Sequence, residues 1–458
     1  MTKFILVAMM TVIGAIIFSI TTLKGGFIHP EAETFIPHYL SQHTLPELIF
    51  SPEHTDWGLY QARELSYLFD WLDCRFIAWC VSNGMPHFLS LTHYLVCAGV
   101  ALCIALFARN SLCLSPGISL GLVGLWLTHP CILLGGTFYR SAKILVAAAL
   151  LSACLAAWHY LHAPKSSSVS AKISIALVSL SLICAGLADR QGFFLTAAFG
   201  LWLSLRAWWL NQKACWPLAG AGFLATAVIA VYTYLVGPWL IHRISGQPPS
   251  LSYMSLPWSE MLYDPSMLKF VVFLAPRAAL YAIGTTIGGF PWLVVLAVIG
   301  WAAWHLSSTQ CPNEPPPQDP LLTTLWWLLL PLGFFAMYAL MAIRHKAVVQ
   351  LAEFQIIYYP LPLATLTVVA LAIGIGKTFH AGWISKRALA ATLWLLAASN
   401  IGNLPQYKLL YATSVYASEI EAGPKNLALL RKRIVPADAG PALQALSRAS
   451  GWVRHATP

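Results

Sequence analysis

Apolar residues in this chain run in long blocks. They do not recur at the spacing of an amphipathic helix or alternate as in a half-buried strand. Blocks cover 4–22, 89–107, 117–133, 142–160, 173–188, 193–210, 217–237, 291–306, 321–343, 359–376 and 388–403. Most are close to the roughly 20 residues needed to cross the hydrocarbon core as a helix. They are apolar all round, which excludes the short alternating strands of an outer-membrane barrel. The pattern predicts an all-α polytopic membrane protein of about 11 transmembrane helices. The stretch 267–289 is interrupted by Pro276-Arg277, Ile283-Gly284 and Gly288-Gly289. It reads as a helix lying at the interface or entering part-way. Counted as a twelfth span, it would reverse everything after it. Residues 4–22 follow Lys3 and offer no small-residue cleavage site, so they read as an uncleaved first span with its N-terminus inside.

Composition narrows the class further. Of 458 residues, 58% are hydrophobic and only 10% charged, where soluble domains carry roughly 25% charged residues. One or two soluble cores could not hide that much apolar surface, and the chain is too apolar for disorder. The net charge of +10 would suggest nucleic acid in a soluble protein, but no soluble domain exists here to carry a basic face. Nucleic acid is therefore not an expected partner. The basic residues read as topology signals or as contacts to lipid headgroups and phosphates. The ten cysteines form no framework and no zinc spacing. Cys74 and Cys80 are read as sharing a loop, where a disulfide would need an extracytoplasmic setting.

Between the blocks, residues 23–88 form a large first loop with eight carboxylates and three Lys/Arg, and with His29, His38, His43 and His54. A second outer region covers 238–290, and the stretch 307–320 is a Pro-rich connector. Residues 1–404 thus read as one transmembrane domain, and 405–458 as a short basic tail. With the N-terminus inside, the inner loops carry Arg109, Lys165, Lys172, Lys213, Lys377, Lys386 and Arg387. The seven basic and three acidic residues of the tail argue for the opposite orientation of the C-terminal half.

Four segments could carry chemistry. If helical, Asp56, Tyr60, Arg63 and Glu64 fall on one face; the same spacing suits a solvated amphipathic helix on the membrane surface. Arg140-Ser141-Ala142-Lys143 lies at the outer end of the fourth block. There the cations suit either a phosphate or ordinary snorkelling. Asp189-Arg190-Gln191-Gly192 sits in a very short connection between two blocks. Ionisable groups at such a depth point to function, the alternative being a self-neutralised pair capping the hairpin. Arg344-His345-Lys346 precedes Tyr358-Tyr359-Pro360-Leu361-Pro362, where prolines suit a first helical turn and tyrosines an interfacial belt.

In this order the four segments resemble the GT-C superfamily of membrane glycosyltransferases. They are most similar to the branch holding the lipid A aminoarabinose transferases and the protein O-mannosyltransferases. That branch opens a helix in its first outer loop with Asp-Glu, followed by Tyr and Arg-Glu. Asp56, Tyr60, Arg63 and Glu64 match, with Trp57 in place of the second acid. Its Thr-Lys-Gly element resembles Asp189-Arg190-Gln191-Gly192, with Arg190 replacing the lysine, and its Tyr-Pro-Pro element resembles Tyr358 to Pro362. A further family acid at the fourth span is absent, Arg140 to Lys143 standing there. The resemblance covers residues 1–376. It places the Tyr-Pro-Pro element on the outer face, which favours eleven spans and an extracytoplasmic tail.

The resemblance implies a sugar donor on a polyprenyl phosphate and a lipid, glycan or protein acceptor on the periplasmic face of a bacterial inner membrane. Asp56 is the expected base, with Glu33 as runner-up and Tyr60, Arg63 and Glu64 orienting. Direct displacement would invert the anomeric centre. Arg190, Arg140, Lys143 and Arg344 would stabilise the leaving phosphate, and Asp189, Tyr358, Tyr359 and His345 would contact substrate. A divalent cation held by loop carboxylates and histidines is a candidate cofactor without a firm ligand set. The rival classes are a transporter or flippase for an anionic or lipid-linked substrate, and a glycan polymerase or ligase.

Overall fold

The computed structural model describes residues 9–10, 13–14, 38–41, 43–52, 62–82, 91–135, 141–162, 168–249, 361–380, 385 and 387–403. Among the described residues the regular structure is helical, with no strand. In chain order the helices are α1 (Leu45–Ile49), α2 (Glu64–Ser82), α3 (Leu91–Leu106), α4 (Pro116–Leu127), α5 (Pro130–Gly135), α6 (Ala142–His162), α7 (Ser168–Ala188), α8 (Arg190–Trp209), α9 (Cys215–Val231), α10 (Gly237–Ser245) and α11 (Leu361–His380). A last helix, α12, covers 387–403. Single π turns extend α3 (Phe107–Ser111) and join α9 to α10 (Tyr232–Val236).

Among the described residues, four runs are long and apolar enough to cross a membrane: Leu91–Ser111, Ala142–His162, Val169–Ala188 and Cys215–Ser245. The expected spans at 4–22, 291–306 and 321–343, the interrupted stretch 267–289 and the tail 405–458 lie outside the described residues or almost wholly so.

Three expectations are corrected. The block 117–133 is not one helix. It breaks at Thr128-His129, where the His129 ring Nδ1 accepts the Cys131 N–H (3.1 Å), and a short α5 follows. The block 217–237 continues as helix to Ser245, so the second outer region begins helical. Cys74 and Cys80 do not share a loop: both are in α2, and Cys74 is a buried free thiol. Six residues along a helix is a rise of about 9 Å, beyond disulfide reach.

Contacts between helices fix their directions. Thr196 in α8 donates to the Leu182 carbonyl of α7 (3.1 Å), so these two form an antiparallel hairpin joined by Asp189 alone. A Cβ on Gly222 of α9 would lie 2.8 Å from the Gly200 Cα of α8. The two backbones therefore meet directly, as small residues allow in membrane bundles. In α4, Gly117 faces Ala390, Gly121 faces Leu393 and Gly124 faces Trp394, so α12 runs parallel to α4. Trp126 donates its indole N–H to Thr365 Oγ1 (3.0 Å), while Gly376 meets Leu112, so α11 runs antiparallel to α4. The starts of α3, α6, α8 and α11 and the ends of α9 and α12 consequently share one pole. Residues 107–116, 162, 168, 209–215 and 387 share the other.

The α8–α9 face is apolar and exposed along its length, through Leu201, Leu205, Phe223, Leu224, Val228 and Leu235. Exposed Trp208, Trp209 and Trp216 end it at one pole, and Tyr234 and Trp239 at the other. Trp216 and Trp239 are about 34 Å apart at helical rise. That is close to the hydrocarbon thickness with aromatic residues at both boundaries.

The α7–α8 hairpin depends on Gly192. Its N–H donates to the Asp189 carbonyl (2.8 Å), and a Cβ there would run into the Ala185 backbone oxygen. Gly192→Ala is expected to lower stability by roughly 2–4 kcal/mol. The check is the yield of monodisperse protein in detergent and its melting temperature; wild-type values for both would refute the close approach.

Candidate functional site

At the first pole three helix N-termini meet, and a carboxylate seals each. A helix start leaves backbone N–H groups without intrahelical partners and carries partial positive charge. In α8 the cap is Asp189 itself, whose Oδ1 accepts the Gln191 N–H (2.8 Å). In α3 and α6 the carboxylates come from α2. Asp73 Oδ1 accepts the Thr92 N–H (2.8 Å), and Asp70 Oδ1 accepts both the N–H (2.7 Å) and the hydroxyl (2.8 Å) of Ser141. Ser66, Tyr67, Asp70, Asp73 and Cys74 are all buried and spaced three and four apart. They form the stripe that lays α2 across these two helix ends.

Asp189 also carries the centre of the site. Lys143, two residues past the Asp70-bound Ser141, donates from Nζ to Asp189 Oδ1 at 2.7 Å. Arg63 places Nε 3.2 Å from Asp189 Oδ2. The side chains of Lys143 and Asp189 are 3% and 2% exposed, and that of Arg63 is 11% exposed. Burial works against ionisation of Asp189. The Arg63 guanidinium, the Lys143 ammonium and the hydrogen bonds from Lys143 and Gln191 outweigh it and hold the carboxyl below its ordinary range. The carboxylate is thus a fixed anion that orients two cations, and a poor base.

Of the residues singled out in the sequence, the structure brings Arg63, Lys143 and Asp189 into one cluster. Glu64 is buried beside Arg63 at the start of α2, and Arg190 opens α8. Asp56, Glu33, Tyr60, Arg140, Arg344, His345, Tyr358 and Tyr359 lie outside the described residues. The expected helical face from Asp56 to Glu64 is interrupted within the described residues, at Ala62 and Arg63. Ala62 has a left-handed backbone (φ +50°) and the helix begins only at Glu64, so Arg63 sits in the turn that feeds it. Asp189 takes its cations Arg63 and Lys143 from the first loop and from α6. Lys143 does not snorkel; it is buried and paired.

Asp70, Asp73 and Ser141 went unassigned in the sequence. The available signal was a pair of acids three apart between apolar residues, and a serine immediately before an apolar block. Nearby, buried His93 donates from Nε2 to the Ile132 carbonyl (2.8 Å) and fixes α5 against α3. Among the described residues no three His, Cys, Asp or Glu side chains are grouped to hold a metal ion. No family model matches the chain, and no curated protein matches it at a significant level.

Removing the carboxylate leaves two buried cations facing each other. Asp189→Asn is expected to cost about 3–5 kcal/mol, and adding Lys143→Met should recover part of the loss. The lowered pKa of Asp189 means that its contribution is complete above the ordinary carboxylate value and is lost as pH falls through the lower, folded one. The difference in melting temperature between wild type and Asp189→Asn should therefore be constant from pH 8 to pH 5 and shrink below about pH 4. A constant difference down to pH 2 would contradict the ion cluster.

Proposed function

We propose that the chain is an integral-membrane glycosyltransferase. It moves a sugar from a polyprenyl-phosphate donor to a lipid, glycan or protein acceptor at the extracytoplasmic face of a bacterial inner membrane. The observation that carries this reading is the convergence of Arg63, Lys143 and Asp189 at one depth. These residues come from three separate segments, the same segments that resemble the GT-C glycosyltransferases. The depth suits the chemistry. The α8 helix has 20 residues from Arg190 to Trp209, about 30 Å, and so equals the hydrocarbon core in length. With Trp208 and Trp209 at one boundary, the cluster sits at the other, level with lipid phosphates.

In this mechanism the acceptor oxygen forms a bond to the anomeric carbon as the bond from that carbon to the phosphate oxygen breaks. The electron pair leaves with polyprenyl phosphate, and the acceptor proton passes to Asp56. Negative charge grows on the phosphate, where Arg63 and Arg190 at the rim of the cluster are assigned to meet it. Asp189 and Lys143 hold the rim in place. Asp56 is the base in this scheme because Asp189 is committed to its two cations.

The eleven-span count belongs to the same proposal. Residue 245 ends a helix and residue 361 begins one at the pole of the cluster, which supports an even number of crossings between them. The expected blocks 291–306 and 321–343 supply two; a further crossing at 267–289 would make the number odd. Residue 403 also ends at this pole, which supports an extracytoplasmic tail.

Two experiments test these points. Purified protein would be incubated with a panel of polyprenyl-phosphate monosaccharides and envelope acceptor, with mass spectrometry following free polyprenyl phosphate. Wild type should release it. Asp56→Asn should be slower by about 100-fold or more, and Arg190→Ala should raise the donor KM. Folded wild-type protein that uses no donor would overturn the reading. For topology, labelling of Gln247→Cys and a tag after residue 403 should report one side of the membrane, and Lys213→Cys the other, once exposed Cys103 and Cys113 are replaced. A tag on the Lys213 side would defeat the eleven-span arrangement.

A further inference from the structure

The opposite pole holds a second buried cation, which pairs with no anion among the described residues. Arg206 lies in the last turn of α8, is 3% exposed, and donates from Nε to the side-chain oxygen of Gln212 (3.1 Å). Its Nη1 is buried without a hydrogen-bond partner. No carboxylate pairs with Arg206 among the described residues; its acceptor is Gln212 Oε1, which the Cys215 thiol shares at 3.7 Å. A guanidinium withdrawn from water is costly unless an anion compensates it. Arginine stays charged in such settings, so deprotonation offers no escape.

The surroundings indicate which anion. The loop between α8 and α9 carries exposed Lys213, and Asn211 holds it in a left-handed turn (φ +50°). Exposed Trp208, Trp209 and Trp216 flank it, three indoles at one level on the lipid-facing side. Tryptophan at this density marks the headgroup layer. Basic pockets between helices at that layer suit acidic headgroups. An arginine fork matches two phosphate oxygens.

We propose that Arg206 and Lys213, at the α8–α9 junction, form a binding site for the phosphodiester headgroup of an anionic phospholipid. One phosphate oxygen fills the guanidinium edge left open beside Gln212, Lys213 approaches from the exposed side, and the tryptophans pack on the glycerol and upper acyl chains. The site faces away from the Arg63–Lys143–Asp189 cluster and is independent of the proposed transferase reaction.

The test uses the full-length protein in detergent, with three added probes: dioleoyl phosphatidylglycerol, dioleoyl phosphatidylcholine and inorganic phosphate. Melting temperature and lipids retained in native mass spectrometry are read for each. Phosphatidylglycerol should stabilise wild type and leave one retained lipid, while phosphatidylcholine does neither. Arg206→Gln should bind phosphatidylglycerol roughly tenfold more weakly. Lys213→Gln, on an exposed position that leaves folding intact, should weaken it by a smaller factor and serves if Arg206→Gln does not fold. Equal effects of the two lipids, or unchanged retention in the variants, would overturn the proposal. Stabilisation by inorganic phosphate as large as that by phosphatidylglycerol would assign the site to the free anion and overturn the lipid headgroup.

Discussion

One carboxylate in a low-dielectric setting organises this protein's polar pole. Asp189 caps its own helix and binds Lys143 at 2.7 Å and Arg63 at 3.2 Å. Coulomb attraction is weak in water and strong where water is excluded, so at this depth the three groups have few alternatives to one another. The rest of the pole follows from that restriction. The α6 helix must start where Lys143 can reach, and Asp70 fixes that start through Ser141. Helix α2 must lie across α3 and α6, which Asp70 and Asp73 enforce. The backbone before α2 must turn sharply at Ala62 to deliver Arg63.

Packing between helices supports the same arrangement from below. Gly200 against Gly222, and the row Gly117, Gly121 and Gly124 against α12, bring backbones close without a water-driven hydrophobic force. Lipid tails are as apolar as leucine, so the order of the helices rests on surface fit and on a few buried polar links. Trp126 to Thr365 is one such link, and His93 to Ile132 another. Both lie toward the pole of the ion cluster. The opposite pole has fewer such ties and more exposed tryptophan.

Much of this architecture was legible in the hydrophobic pattern. The blocks at 142–160, 173–188, 193–210 and 359–376 match α6, α7, α8 and α11 to within a few residues, because length and apolarity alone select membrane helices. Partnerships were less legible. Arg63, Lys143 and Asp189 stood out as charges at the edges of blocks, but nothing local shows that residues 46 and more positions apart meet at one point. Asp70 and Asp73 were hidden for the opposite reason. In a loop rich in carboxylates they resembled solvated charges or metal ligands, whereas their i, i+3 spacing serves two different helix ends. The break at His129 was missed because an apolar run continues straight through it. Block length gives no sign of a residue that bonds its own backbone.

The separation of Lys143 and Asp189 in the chain has a consequence for how the protein is made. A ribosome working at about 5–20 residues per second takes some 2–9 seconds to produce those 46 residues. Lys143 leaves the ribosome earlier than Asp189 by that same interval. The lysine must wait in the translocation channel or in the headgroup layer, and α6 can settle at its final depth only when the α7–α8 hairpin arrives with its counter-charge. Insertion of these three helices is therefore a joint event, timed by the synthesis of a single aspartate.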